Sequence, residues 1–136
     1  MSTALDSLLP HRARMLWLGA LVDCTDTTAS ATVRFTTDHF AVTDGVVTET
    51  ALVECVAQTV AAALGHRAQK GGHTGPANPG MLGAVSGFRI LAPAPLDKTL
   101  LIEVRELKRF GPMLLVAGVI SCDGERIAEG ELSLYA

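Results

Sequence analysis

The sequence lacks an excess of basic residues and lacks a long hydrophobic run. Its 14 acidic residues outnumber 11 lysines and arginines, which gives a net charge of −3 at pH 7. Without a basic field the chain has little affinity for a phosphate backbone, so nucleic acid is not an expected partner. The apolar stretch from Met15 to Val22 is far shorter than the ~18 residues of a membrane span. Asp6, Pro10 and His11 precede it, which is atypical of a secretory signal. We therefore expect no membrane association.

Cysteine is scarce and follows no metal-binding or disulfide pattern. The three cysteines, Cys24, Cys55 and Cys122, are odd in number and lack C-x-x-C spacing, so we expect reduced thiols and a cytoplasmic protein. No two histidines have the spacing of a metal site. The sequence also lacks the glycine patterns of nucleotide-binding loops. We predict neither a metal nor a cofactor.

The composition is that of one folded domain. The chain has 136 residues, of which 49% are hydrophobic and 18% are charged. This is enough apolar surface for a packed core and is atypical of a disordered chain. We expect residues 1–136 to form a single domain.

The first half of the sequence predicts a hairpin followed by one long helix. Residues 1–10 allow a short helical turn, and 14–24 form a candidate strand that ends in turn formers. Residues 29–35 alternate apolar and polar side chains, as in a half-buried strand. A loop over 37–47 then leads to a helix that starts after Thr48 and continues to about Gln69. This helix is apolar on almost every side, so we expect it to be buried.

The second half predicts strands only. A glycine- and proline-rich loop over 71–80 precedes strands at 81–91, 98–109, 112–122 and 125–135. The third of these strands is apolar on both faces, which predicts that it is covered on both. A helix between a hairpin and a meander buries its circumference only if the sheet curls around it. We therefore predict an α+β fold with an antiparallel sheet wrapped around one long central helix.

Glu54 and Gln58 are the first candidates for chemistry. They lie one turn apart on the predicted helix and share a face with small residues. Burial raises the pKa of a carboxyl group, which suits a general acid. The alternative is a carboxylate at the helix edge that backbone groups or an arginine satisfy.

His39 is the second candidate, because imidazole is the usual general base near neutral pH. It lies in the loop that leads into the helix, 15 residues before Glu54. The alternative interpretation is a solvent-exposed loop histidine.

Two motifs resemble a known enzyme family. Residues 8–16, LLPHRARML, resemble the "LPHR…ML" opening of FabA/FabZ-type 3-hydroxyacyl-[acyl-carrier-protein] dehydratases. Residues 52–58, LVECVAQ, resemble their helix motif "hhEhhAQ", and the strands from Phe88 onward are similar to the family pattern. The divergent members of aryl polyene and related fatty-acid-like pathways are the most similar. The resemblance implies a hotdog fold.

The resemblance also implies site residues and partners. Glu54 matches the catalytic acid and His39 falls near the catalytic histidine, which would remove the C2 proton of the substrate. Gln58, Gly45 and Gly83 are the expected substrate-binding residues. The loop after His39 lacks the family's prolines. Expected partners are an acyl carrier protein or coenzyme A thioester and a second hotdog subunit, identical or different, in a dimer or higher oligomer.

Three functions follow from these residues. The first is dehydration of 3-hydroxyacyl thioesters to trans-2-enoyl thioesters in fatty acid or polyene-type biosynthesis, with Glu54 and His39. The second is a hotdog thioesterase, in which Glu54 activates water without His39. The third is a non-catalytic subunit that pairs with a complete dehydratase, because fold alone does not determine function.

Overall fold

A computed structural model describes residues 18–39, 41–70 and 81–135. The short helical turn expected before Pro10, the 71–80 loop and the motif at 8–16 lie outside these ranges. The described elements are β1 (Leu18–Cys24), β2 (Thr28–Arg34), β3 (Val42–Thr43), β4 (Val46–Val47), α1 (Glu49–Lys70), β5 (Met81–Ile90), β6 (Thr99–Phe110), β7 (Met113–Cys122) and β8 (Glu125–Tyr135).

Six strands form one antiparallel sheet in the order β1-β2-β6-β7-β8-β5, and β3 pairs with β4 separately. Helix α1 packs mainly on β1, β2 and β6. The predicted α+β architecture, with one long helix against an antiparallel sheet, is therefore confirmed. Strand β5 follows the helix in sequence but pairs only with β8, which leaves it at one edge of the sheet.

The strand predictions hold where the sequence alternates. Ala29, Ala31 and Val33 are buried on β2, and the inner face of β8 buries Leu132 and Leu134. Asp123 and Gly124 both have positive φ, at 51° and 81°, which is the geometry of a two-residue hairpin turn.

The prediction that β7 is covered on both faces was wrong for the single chain. Leu114, Val116 and Ile120 are buried, whereas the alternate residues of the strand, such as Leu115 and Val119, are only half-buried. The reason is that α1 lies on one face of the sheet, while no described element covers the other.

The predicted loop over 37–47 contains a small hairpin. Asp44 and Gly45 occupy its turn with φ of 52° and 75°, and Thr48 N–H donates to the Ala41 carbonyl across its base at 3.2 Å. Asp-Gly is a strong hairpin signal, but strands of two residues are too short to show a period. Part of the predicted loop before α1 is therefore a β-hairpin held by backbone hydrogen bonds.

Helix α1 begins where the sequence predicts. Thr48 is its N-cap, because its hydroxyl oxygen accepts from Ala51 N–H at 3.2 Å. Glu49 in the first turn, and Arg67 and Lys70 in the last, match the helix dipole. No helix among residues 18–39, 41–70 and 81–135 combines the length and hydropathy needed to traverse a bilayer.

Helix and sheet lie close together at Gly118 on β7. A Cβ atom at this position would lie 2.6 Å and 3.0 Å from the two methyl carbons of Val56. Gly118 therefore lets the buried face of α1 lie directly on the strand backbone.

We expect Gly118→Ala to destabilise the protein by about 1–3 kcal/mol, because the added methyl overpacks this contact. Val56→Ala removes the clashing methyl groups. The double variant should therefore lose about 0.5–3 kcal/mol less free energy of unfolding than the two single variants lose together. Urea denaturation of the four proteins measures this coupling. If the free-energy losses of the two single variants simply add up in the double variant, the close contact is contradicted.

Candidate active site

Glu54 and Gln58 form a hydrogen-bonded pair on α1. Gln58 Nε2 donates to Glu54 Oε1 at 3.3 Å, one helical turn away. Gln58 is completely buried, whereas Glu54 is half-buried. A buried amide needs hydrogen-bond partners. The pair fixes one carboxylate oxygen of Glu54 against a side chain that is itself held in the core.

Glu54 lies on the less buried side of the helix. Val53, Ala57 and Leu64 are also half-buried there, whereas Cys55 and Val56 on the opposite side are fully buried. Glu54 is thus half-buried among half-buried apolar residues on this side of the helix.

The structure holds His39 between the end of β2 and the small hairpin. Its backbone N–H donates to the Thr36 carbonyl at 3.0 Å, and its own carbonyl accepts from Val42 N–H at 2.9 Å. The imidazole Nδ1 accepts from Ala41 N–H at 3.0 Å. The edge of the ring meets Phe35, with ring centroids 4.9 Å apart and an interplanar angle of 85°. His39 is half-buried, and the interpretation as a solvent-exposed loop histidine does not describe it.

The turn before His39 is stabilised by an acidic side chain. The Thr36 hydroxyl donates to Asp38 Oδ1 at 2.5 Å. This hydrogen bond, together with a backbone N–H, lowers the pKa of Asp38, because both bonds favour the ionised carboxylate. Asp38 is exposed, so its role is to shape the turn.

The two glycines of the expected site lie on the β3–β4 hairpin and on β5. Gly45 is exposed at the tip of the β3–β4 hairpin, and its positive φ explains why glycine is needed there. Gly83 lies on the edge strand β5, where a Cβ atom would meet Tyr135 Cε2 at 2.7 Å. The structure thus joins Glu54 directly to Gln58, and it gives both glycines a local backbone or packing role.

Sequence reasoning missed the two contacts that hold the His39 ring. Alternation on β2 predicts that Phe35 is buried, but not that its ring meets His39. The bond from Ala41 depends on the backbone of the small hairpin, which carries no periodic signal. An Asp-Gly pair between two valine-containing dipeptides was the signal that could have revealed this hairpin.

A concavity of about 700 Å³ lies away from these residues. It occupies the outer face of the sheet and is lined by residues of β2, β6 and β7, such as Ser30, Glu103 and Ala117. Glu54 and His39 do not line it, and it offers no buried titratable pair. The chemistry therefore points to the helix and not to this surface. In the described part of the chain, no three His, Cys, Asp or Glu side chains are grouped to bind a metal ion.

Cys55 is next to Glu54 but is not a nucleophile. It is fully buried, and this burial, with the charge of Glu54, raises its pKa far above that of a free thiol. Cys24 is half-buried, and burial raises its pKa while Arg67 opposes the shift.

We expect a thiol reagent at mildly alkaline pH to label Cys24 before Cys55, because only Cys24 is accessible in the folded chain. Mass spectrometry of the labelled peptides over time measures both rates. Denaturant should make Cys55 react as fast as Cys24. Rapid labelling of Cys55 in the native protein would contradict its burial.

Comparisons with known proteins identify structures with a similar fold. The chain is similar to the dehydratase heterocomplex ApeI:P from Xenorhabdus doucetiae, with 24% identity over 96% of this chain and 89% of the other and a TM-score of 0.84. It is also similar to the E. coli PaaI protein from the phenylacetic acid degradation operon, with 11% identity over 85% of this chain and 81% of the other and a TM-score of 0.68.

A third similar structure is a hypothetical thioesterase protein with coenzyme A from Streptococcus pneumoniae TIGR4. It is 12% identical over 85% of this chain and 82% of the other, with a TM-score of 0.66. These similarities confirm the predicted hotdog fold. No curated protein sequence matches the chain.

The family comparison covers almost every residue. The ApeP-like family, described as ApeP dehydratase, matches residues 3–136. The motifs at 8–16 and 52–58 both lie within this match, and the predicted relationship to hotdog dehydratases is confirmed. The chain belongs to the ApeP-like dehydratase family.

Proposed function

We propose that this protein is a dehydratase that converts 3-hydroxyacyl thioesters into trans-2-enoyl thioesters, with Glu54 as the acid and His39 as the base. The main observation in support of this proposal is the half-buried carboxyl group of Glu54. It accepts a hydrogen bond from the fully buried side chain of Gln58 on the same helix. Membership of a dehydratase family supports this assignment.

The reaction needs a proton-transfer group beside C2 and C3 of the acyl chain. In this proposal His39 takes a proton from C2, the electrons of that C–H bond form the C2–C3 double bond, and the C3 hydroxyl departs as water once Glu54 has protonated it. A positioned carboxyl group that delivers this proton contributes about 10²–10⁴-fold to the rate. Glu54 is the carboxyl group on the partly open side of α1 that can deliver it.

Gln58 is a positioning residue in this account. Its Nε2 donates to Glu54 Oε1, which directs the plane of the carboxyl group. Because Gln58 is buried, its own side chain has little freedom to move. Such orientation matters, because misplacing a reacting group by ~1 Å costs about a hundredfold in rate.

A second hotdog subunit is the expected protein partner. Strand β5 is a sheet edge, and every residue from Gly83 to Ile90 except Phe88 is exposed. Val85 and Ile90 expose 44% and 42% of their surface, which is unusual for a soluble sheet edge left uncovered. The similar Xenorhabdus protein is part of a heterocomplex. We propose that β5 pairs with another hotdog chain, identical or different, and that a dimer or higher oligomer is the working form.

The acyl group is proposed to arrive on an acyl carrier protein or on coenzyme A, in a cytoplasmic fatty acid or aryl-polyene-type pathway. The pneumococcal structure that contains coenzyme A supports a thioester as the substrate class.

Thioester hydrolysis is the second candidate, because the pneumococcal relative is described as a hypothetical thioesterase. In that reaction Glu54 would activate water toward the thioester carbonyl, and His39 would not be needed. A non-catalytic role beside a complete dehydratase is the third candidate.

One assay separates these functions. The purified protein is incubated with a short 3-hydroxyacyl thioester of carrier protein, and then separately with the enoyl product, and both are followed by mass spectrometry. We expect reversible loss of water. Release of free acid would indicate the thioesterase, and an unchanged thioester would indicate a subunit that is inactive by itself.

A further inference from the structure

The outer face of the sheet carries an apolar strand between two charged ones. On β7 the outward side chains include Leu115, Ala117 and Val119, which are half-buried although no described element lies over them. Arg105 on β6 and Glu131 on β8 are the two strand neighbours of Ala117, and both are exposed. These five residues form the outer band.

Arg105 and Glu131 do not neutralise each other within the chain. Strand β7 lies between them, and strands of a sheet are about 4.8 Å apart, which separates their Cα atoms by about 10 Å. No ion pair among the described residues includes either side chain. The outer band therefore has a positive side and a negative side, with apolar residues between them.

The order of these charges favours a second copy of the same sheet as the partner. Two sheets pack face to face about 10 Å apart with their strands nearly aligned. If a two-fold axis between the sheets runs along β7, β6 of each copy lies opposite β8 of the other, and Arg105 lies opposite Glu131. If the axis instead crosses the strands at Ala117, β6 lies opposite β6, and Arg105 faces Arg105. Charge complementarity therefore selects the axis along β7.

The next row of the sheet agrees with this axis. Glu103 and Glu129 are the strand neighbours of Val119, so each Glu103 lies opposite Glu129 of the other copy. Glu129 forms ion pairs with Arg89 at 2.8 Å and with Arg126 at 2.9 Å, so this cluster has one excess positive charge. The exposed carboxylate of Glu103 supplies the opposite charge.

We infer that the outer band is an interface between two copies of this chain, which are related by a two-fold axis along β7. A two-fold interface repeats each contact, so every pair of copies forms two Arg105–Glu131 contacts. The apolar side chains between these contacts are removed from water. Edge strand β5 pairs through backbone groups in the plane of the sheet, so both interfaces can form in one assembly. The inference stands independently of the proposed activity.

Charge reversal tests this pairing in the purified full-length protein. In Arg105→Glu two negative charges meet at each contact, and in Glu131→Arg two positive charges meet. We expect light scattering at low ionic strength, where repulsion is least screened, to give each variant half the mass of the wild-type assembly. An equimolar mixture of the two variants has opposite charges at both contacts, so mixing should restore the wild-type mass.

Two further proteins control this experiment. The double variant Arg105→Glu/Glu131→Arg should keep the wild-type mass, because the charges are exchanged and remain opposite. Asp26→Arg reverses a charge in the exposed β1–β2 turn, away from the outer band, and should also keep this mass. Thermal unfolding checks that each variant is folded.

Two results would overturn the inference. Equal masses for the wild-type protein and both folded single variants would show that a second copy does not cover the outer band. A mass that is halved in the single variants but is not restored by mixing would show that Arg105 and Glu131 do not meet across the interface.

Discussion

Glu54→Gln is expected to lower the rate of water elimination by about 10²–10⁴-fold while the protein stays folded. The amide has nearly the shape of the carboxyl group but cannot give a proton to the C3 hydroxyl. Gln58 Nε2 can still donate to the amide oxygen, so the helix packing is retained. Single-turnover dehydration followed by mass spectrometry measures the rate, and thermal unfolding checks the fold.

Glu49→Gln is the matched control for this prediction. Glu49 carries the same charge on the same helix but is exposed in its first turn. Its substitution is expected to leave the rate within about twofold, since surface changes are near neutral. A Glu54→Gln protein as active as Glu49→Gln would remove Glu54 from the chemistry.

Phe35→Ala is expected to have the largest effect on stability, about 3–5 kcal/mol. The Phe35 side chain is fully buried and is the largest such side chain in the core of the described residues. Its loss leaves a cavity and removes the edge-on contact with the His39 ring. Because domains are stable by only about 5–15 kcal/mol, the midpoint of urea denaturation should fall steeply.

Phe110→Ala is the matched control for stability. Phe110 lies at the end of β6 with 54% of its surface exposed, and the Lys108 ammonium nitrogen lies over its ring, 4.5 Å from the ring centroid. An exposed cation–π contact is worth about 0.5–1 kcal/mol, so the loss should not exceed that range. Similar losses in Phe35→Ala and Phe110→Ala would contradict the assignment of Phe35 to the core.

The elements with a clear period were predictable from sequence. Strand β2 alternates over seven residues, and α1 is capped by Thr48 and apolar over many turns. Local spacing alone also brings Glu54 and Gln58 together, because an i to i+4 separation on any α-helix makes two side chains neighbours.

Features that depend on tertiary contacts were not predictable. An apolar sequence on both sides of β7 predicts two covered faces, but whether an element covers the outer face depends on the rest of the fold and on any partner subunit. The orientation of the His39 ring likewise depends on a backbone hydrogen bond from Ala41, and thus on the path of a loop whose strands contain two residues each.

The most direct test of the proposed function is hydration of the enoyl thioester in water labelled with heavy oxygen. We predict that the wild-type protein forms a 3-hydroxyacyl thioester with one heavy oxygen on C3 and that Glu54→Gln does not. Heavy oxygen in a released free carboxylic acid, with no labelled hydroxyacyl thioester, would contradict the dehydratase account and assign Glu54 to hydrolysis.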